Sequence, residues 1–570
     1  MTRMNTIRML KQLRVTWSLR LLPLLLWLVG CGAGAYQFTS PLSLPDDRRD
    51  IDPLDEQDYN HMEEAFDMQF TRQFEQMVDL PRNLRNVTNN PKQALNANAF
   101  DDVPNSSWFT HRIDRGDMSA EEIGRGPDSG DGPDTSRPWQ IFRAKSEGVT
   151  PGFSIQDAHG DRYVIKFDPP GYPELTSGAE VVSTKILYAL GYHVPENYIT
   201  VFDPSILQLG EKVKFTDDFG RSRPMNQADL NRLLTRIEQR PDGTIRALAS
   251  KYINGMPLGP FRYTGIRGDD PNDLVPHQHR RELRGLRTIA AWLNHFDTKS
   301  GNTFDSYVTD NGARYVRHYL MDFGSTLGSA AHGPTPPRTG HENYFDPHSI
   351  TFNLLTLGLY VRPYERLSAQ PEFPSIGNYP VQYFHPQRYK FIVPNPAFEN
   401  ATNLDGYWAA KLVTAMRDEH LAAAVSAGRY TNPDAAEALL QALKNRRDII
   451  GNYWFAKINP LDYFMVESQG GKPVLRFHDL AVERGYADVA GTVYQWELRH
   501  LDRQVGRGEI RETAVPLELL QPVDTQEPWV LTLRLKRTAE GQWNRWVRIW
   551  LHARTDGKEI EVIGTRRQEW

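Results

Sequence analysis

The sequence predicts an α+β protein in three parts: a lobe built on an antiparallel sheet, a helical lobe, and a C-terminal antiparallel β domain of sandwich type. Three observations lead there. Between Trp139 and Phe167, short runs of strand-forming residues are separated by turn residues. From Arg280 to Ala456, apolar residues recur at helical spacing, broken by one strong hairpin signal. From about Asn459 the apolar period falls from 3.6 to 2 and stays there.

With 570 residues the chain has length for roughly two or three full cores. Its net charge is −5, although the first thirty residues carry Arg3, Arg8, Lys11, Arg14 and Arg20 and no acid. The remainder is therefore still more acidic, which argues against a nucleic-acid binder. No repeat of fixed period is present.

The basic start leads into Leu21–Leu28 (LLPLLLWL) and then Val29-Gly30-Cys31-Gly32. A charged region, a short apolar region and small residues make a secretory signal, too short for a comfortable membrane span. Leu28-Val29-Gly30-Cys31 resembles the bacterial lipobox, which implies lipid modification of Cys31, the single cysteine. The expected address is therefore the bacterial cell envelope, periplasmic or surface-exposed. Residues 32–138 form an N-terminal extension: a polar tether, a helix over Glu56–Leu84 with a Phe stripe as a docking face, and a turn-rich stretch around the apolar knot Pro104–Phe109.

Residues 139–255 read as the sheet lobe. Strands are expected at Trp139–Lys145, Phe153–Asp157 and Arg162–Phe167; Gly148 and Gly152 flank the first turn, where a backbone without Cβ can approach a phosphate closely. Lys166 ends the third strand, where burial would require a partner. An amphipathic helix follows over Ser177–Leu190, with Glu180 in its first turn and Gly191 as its stop. Strands at Tyr198–Val201 and Lys212–Phe215, a helical insertion over Asp217–Asp242, and a last strand Arg246–Ile253 running into Asn254-Gly255 complete the lobe.

Residues 256–458 carry the chemistry. A helix over Arg280–Leu293 delivers His295-x-Asp297-x-Lys299-x-x-Asn302. Strands Thr303–Val308 and Ala313–Met321 follow, joined through Asn311-Gly312, and then Asp322-Phe323-Gly324. Asn-Gly tolerates positive φ at both positions and is the strongest short hairpin signal. A loop, a hairpin and a loop thus hold an acid and an amide on one side and an acid on the other. Phosphoryl transfer needs a carboxylate for the acceptor hydroxyl and oxygen ligands for magnesium, and this pattern supplies both. An earlier Asp218-Phe219-Gly220 has no apolar strand leading into it and is rejected. His318, His332, His341 and His348 lack metal-ligand spacing. Helices over Pro347–Val361, Tyr407–Ala427 and Asp434–Ala456 complete this part. In residues 459–570 alternation marks strands at Val474–Phe477, Thr492–Arg499, Trp529–Lys536, Arg545–Ala553 and Ile560–Gly564, with the Trp residues in core or rim packing.

Together, His295–Gly324 and the order Lys166, Glu180, Asp297, Asn302, Asp322 resemble the protein-kinase-like superfamily. The run Arg162–Tyr198, with its Gly191-x-x-Val194-Pro195-Glu196 step, is most similar to the HipA-like branch, which is related in outline to secreted spore-coat-type kinases. The resemblance implies a bilobal kinase-like fold spanning Trp139 to Ala456, with Mg2+ and ATP as cofactors. It implies Asp297 as catalytic base or substrate-orienting acid, and Lys299 on the transferring γ-phosphoryl. It implies Asn302 and Asp322 on magnesium, Lys166 on the α/β-phosphates oriented by Glu180, Gly148 and Gly152 in the phosphate loop, and a backbone hinge for adenine at Asn254-Gly255. After the second loop, Ser325–Phe345 lacks an A-P-E ending.

Two functions fit: an extracytoplasmic kinase-like phosphotransferase acting on a protein, sugar or lipid hydroxyl, and an inactive kinase-fold scaffold of the envelope. Retention of the Lys, Asp, Asn and DFG residues favours the first. The chain is read as a monomer attached to the membrane through Cys31.

Overall fold

The computed structural model describes residues 44–116, 118–144, 152–216, 222–501, 503–518, 527–553 and 560–568. Cys31 with its apolar run, Gly148, and Asp218-Phe219-Gly220 lie outside them. The described chain mixes helix and strand throughout.

Six strands form the first sheet, in the order Asn197–Phe202, Ile245–Lys251, Arg162–Lys166, Gly152–Gln156, Trp139–Ala144, Leu207–Leu209. The first five pair antiparallel. Leu207–Leu209 instead joins Trp139–Ala144 in parallel, which corrects the all-antiparallel expectation. The cause is curvature. The sheet curls enough to bring the ring of Trp139, next to one edge, within 4.6 Å of the ring of Phe202 on the other edge strand. Residues 203–206, a 3-10 turn that Asp203 caps, then suffice to carry the chain from one edge to the other. Trp139, Ile141, Phe153, Ile155, Ile165 and Phe167 fill the interior.

The helix after the third strand runs Leu175–Ala189. Asp168 fixes its start by accepting from Glu174 N (2.9 Å), Ser177 N (2.8 Å), Thr176 Oγ1 (2.9 Å) and Ser177 Oγ (2.8 Å). The helix therefore begins two residues before Ser177, and Glu180 falls in its second turn, correcting the first-turn expectation. Gly191 ends it at φ +108°; a Cβ there would lie 2.3 Å from the Phe109 ring, so the close approach requires glycine.

Arg281–Trp292, Asn403–Ala415, Asp418–Ala427 and Pro433–Lys457 are the main helices of the second part. The single helix expected over Tyr407–Ala427 is broken at Met416, whose ψ of 106° is extended. The helix from Pro347 stops at Leu355, short of Val361. Trp292, Trp408 and Trp454 anchor a core that also takes in Val182 and Ile186 of the Leu175–Ala189 helix and Phe323 of the DFG turn. The predicted insertion holds one helix, Gln227–Leu234, behind the small hairpin Lys214–Thr216/Ser222–Pro224.

Toward the C-terminus two sheets share one apolar core. One holds Leu461–Gln469, Lys472–Asp479 and Ala514–Pro516; the other runs Arg503–Ile510, Val493–His500, Trp529–Lys536, Val547–Ala553, Ile560–Arg567. Leu461–Gln469 and Arg503–Ile510 carry no clean alternation, because both are edge strands with largely exposed side chains. Trp496, Trp529 and Trp550 are buried.

The helix expected over Glu56–Leu84 comes in pieces: His61–Phe66, a π turn Asp67–Thr71, Arg72–Val78, then Leu80–Val87. Asp79 interrupts it and caps the next piece by accepting from Arg82 N at 2.9 Å. Of the Phe stripe, Phe70 meets the rest of the described chain, its ring 5.6 Å from Phe345, while Met62, Phe66, Phe74 and Met77 are all more than half exposed.

Candidate active site

Lys166 is the hinge point of the electrostatics. From the end of its strand, its Nζ donates to Glu180 Oε1 at 3.0 Å, Glu180 Oε2 at 3.2 Å and Asp322 Oδ1 at 2.9 Å. Three elements far apart in sequence thus meet on one ammonium: a strand, a helix and the DFG turn. Burial by itself opposes the charge on Lys166, but Asp322 and then Glu180 outweigh it and hold the ammonium above its ordinary range. The helix is pinned to the turn as well. Ser183 Oγ and Thr326 Oγ1 lie 2.7 Å apart in the interior, and a Cβ on Gly324 would stand 3.4 Å from Glu180 Oε2.

Asp322 adopts φ 63°, ψ 66°, a left-handed conformation that aspartate tolerates better than bulkier residues do. Its side chain is half exposed, so it faces both Lys166 and the open cleft. Phe323 behind it is fully buried, and His295 packs edge-to-face on that ring with centroids 5.8 Å apart. Burial pushes the His295 imidazole below its ordinary pKa, so it stands there neutral.

The hairpin register brings the two loops together. Thr303 pairs with Leu320, and Asp310 with Ala313 at the far end. Asn302 and Met321 therefore sit side by side at the open end, where Met321 N donates to Asn302 O at 3.0 Å, and Asp322 follows directly. Asn302 Nδ2 donates to Asp297 O at 2.7 Å and Asp297 Oδ2 at 3.2 Å, and Lys299 Nζ donates to Asp297 Oδ2 at 2.9 Å. Asp297, Lys299 and Asn302 form one cluster; Lys166, Glu180 and Asp322 form the other; the hairpin base joins them. The Asn302 amide oxygen and the Asp322 carboxylate are hard oxygen donors at adjacent positions, a donor set that fits magnesium.

A cavity of about 740 Å³ adjoins this end, lined by Val164, Tyr252, Ile253, Phe304 and Met321 among others. Lys251–Gly255 forms its wall. Gly255 passes so close to the hairpin (φ +101°) that a Cβ would lie 2.5 Å from Ser306 Oγ and Tyr307 O. Gly152 pairs with Lys166 across the sheet.

One set of contacts was absent from the sequence reading. Glu64 accepts from both Ser300 Oγ and Tyr59 OH, and the His61 ring covers Gly301. The N-terminal extension thus straps the Lys299–Asn302 loop from outside. Ser300 and Glu64 are 236 residues apart, and no local periodicity signals such a pairing.

A second acid–histidine group, Asp102, His111 and Asp114, has its ligand-type atoms within 4.8 Å of one another. Both His111 ring nitrogens already face acceptors, Asp114 Oδ2 at 2.7 Å and Val103 O at 2.6 Å.

No protein-family model matches the sequence, and no curated protein matches it. Among solved structures, the Helicobacter pylori proinflammatory kinase CtkA aligns at 12% identity and a TM-score of 0.28, over 54% of this chain and 94% of that one. The Golgi casein kinase with Mn/ADP bound aligns at 12% identity and a TM-score of 0.28, over 58% of this chain and 75% of that one. Scores this low carry no weight beside the side-chain geometry itself.

Proposed function

We propose that this chain is an extracytoplasmic kinase-like phosphotransferase, tethered to the bacterial envelope by a lipid on Cys31, that moves the γ-phosphoryl group of ATP to a protein, sugar or lipid hydroxyl. The observation that carries the reading is Lys166 bridging Glu180 and Asp322 while the hairpin register sets Asn302 beside Asp322. The HipA-like resemblance and the lipobox-like Leu28–Cys31 supply the finer parts.

In this reading adenine enters the cavity walled by Lys251–Gly255. Lys166 holds the α- and β-phosphates, and Glu180 keeps its ammonium aimed at them. Asn302 and Asp322 hold magnesium, which offsets the charge of the phosphates when bound. Asp297 orients the acceptor hydroxyl and takes up its proton. Lys299, now on Asp297, turns to the transferring phosphoryl group and offsets its charge.

The test is the melting temperature of the full chain in detergent, with and without Mg-ATP, beside an Asp322→Ala variant. A ligand at about a hundred times its Kd adds roughly 2.7 kcal/mol to the folded state. A rise that needs magnesium and is lost in the variant is the expected result. No rise at saturating nucleotide would leave an inactive kinase-fold scaffold as the better reading.

A further inference from the structure

Behind the Lys251–Gly255 wall, on the side away from Lys166, lies a second cavity of about 740 Å³. Its lining includes Arg112, Arg317, Tyr188, Tyr252, Tyr307 and Tyr319. A volume of this size suits a small organic ligand and greatly exceeds a bare oxyanion.

The lining brings three basic side chains, Arg112, Lys251 and Arg317, together with the acids Glu196 and Asp310. Arg317 is paired with Asp310 at 2.6 Å, and Lys251 with Asp161 at 3.1 Å. Glu196, the other acid of the lining, is engaged by Ser129 Oγ at 2.8 Å and Tyr198 OH at 2.5 Å. Arg112 donates only to the backbone carbonyls of Tyr188 (2.7 Å) and Tyr192 (3.2 Å) and lies 4.0 Å over the Tyr188 ring. It has no carboxylate partner among the described residues. Burial pulls its guanidinium below the usual range, and the like charge of Arg317 adds to this. One further donor at the same place, Arg317 Nε, is buried without a hydrogen-bond partner. A buried guanidinium donor left unmet beside a second guanidinium without a carboxylate is what an arriving oxyanion satisfies.

We propose that this cavity is a second ligand site, binding a phosphorylated, ring-bearing small molecule with its phosphate on Arg112 and Arg317 and its ring against the tyrosines. Guanidinium groups match phosphate geometry through paired donors, and tyrosines give flat contact area with little entropy to lose. The site shares the Lys251–Gly255 wall with the nucleotide cleft, but Arg112 and Arg317 line this cavity and not the cleft, so it does not depend on the phosphotransferase reading.

Calorimetric titration of the full chain in detergent with inorganic phosphate and with glucose 6-phosphate tests it. Both are expected to bind saturably at one site, the sugar phosphate more tightly. Arg112→Gln and Arg317→Gln are each expected to weaken binding roughly ten- to a hundredfold, with the melting temperature as the folding control. Should Arg112→Gln fail to fold, Arg317→Gln alone decides. Absence of saturable phosphate binding overturns the proposal, as does binding indifferent to both substitutions. Equal affinity for the two probes removes the ring-bearing claim. Binding that disappears in Asp322→Ala belongs to the nucleotide cleft and equally overturns it.

Discussion

Lys166 donates to two carboxylates at once, and each does something different. Glu180 comes from a helix whose start Asp168 fixes, whereas Asp322 comes from a turn held in a left-handed conformation. Removing Glu180 leaves Lys166 with Asp322 alone, so the ammonium is drawn toward the DFG turn and away from the helix. Glu180→Ala is expected to cost roughly 1–3 kcal/mol of stability, and to lower phosphoryl transfer far more than nucleotide affinity. Urea unfolding and single-turnover rates read the two effects; an unchanged rate would remove Glu180 from the site. That Lys166, Glu180 and Asp322 form one cluster and Asp297 and Asn302 another could be anticipated from the sequence, because phosphoryl transfer, as proposed above, would demand those residue types at those spacings. The strap residues Tyr59, His61 and Glu64 could not. Carboxylates and aromatic rings are ordinary surface residues until a fold sets them against a loop.

At the scale of elements, that strap is the N-terminal extension crossing the Lys299–Asn302 loop. Glu64→Gln keeps the size of the side chain but weakens its bonds from Ser300 and Tyr59, each charge-assisted in the parent chain. Hydrogen exchange at residues 299–302 is expected to rise, with a stability loss of about 1–2 kcal/mol. Unchanged exchange would make the strap incidental. A neighbouring element supplies a pH response. His279 closes the 3-10 turn His277–His279, and Arg284 Nη2 donates to its Nδ1 at 2.5 Å, which requires a neutral ring. Burial first, then Arg284 and Lys92, lower its pKa to about 4. The unfolded ring titrates near 6.5, so the stabilising preference for the neutral form is complete above that pH and is lost as pH falls toward 4. Stability is expected to fall over that window by on the order of 2 kcal/mol for this residue, read as a drop in melting temperature, and His279→Gln is expected to flatten part of the slope. A variant with the parent slope would refute the assignment. Strands and helices with clean alternation were readable in advance, from Trp139 to Phe167 and from Arg280 to Leu293. The edge strands Leu461–Gln469 and Arg503–Ile510 were not, since each buries few apolar side chains along its length: the first is buried only at Leu461 and Asp462, and the second is exposed or half-buried throughout.

Across the whole molecule, buried charge ties the C-terminal sheets to the helices. Arg567 reaches Asp462 at 3.1 Å and Asp101 at 3.3 Å, and Lys411 reaches Asp462 at 2.8 Å. Arg281 joins Asp101 to Asp405, its Nε lying 3.2 Å from Asp405 Oδ1. The network spans the extension, two helices and both C-terminal sheets. Lys411 and Arg567, in turn, hold the buried Asp462 carboxyl down at about 2 against the opposing pull of burial. Arg567→Met takes one of two cationic partners from each of Asp462 and Asp101, leaving Lys411 and Arg281, and is expected to cost roughly 1–3 kcal/mol. Denaturant unfolding is expected to separate into two transitions, the C-terminal sheets loosening first. A single transition at the parent midpoint would show that apolar packing alone holds them. The sequence by itself determined the order of the parts, the hairpin, and the identity of the acids, amide and lysines that phosphoryl transfer would use, because these rest on local periodicity and on residue type. Tertiary structure alone decided that the first sheet curls until an edge strand joins in parallel. It also decided that the extension straps the loop, and that a charged cavity lies behind the Lys251–Gly255 wall. Each of these depends on contacts between residues far apart in the chain, whose partners only the folded packing selects.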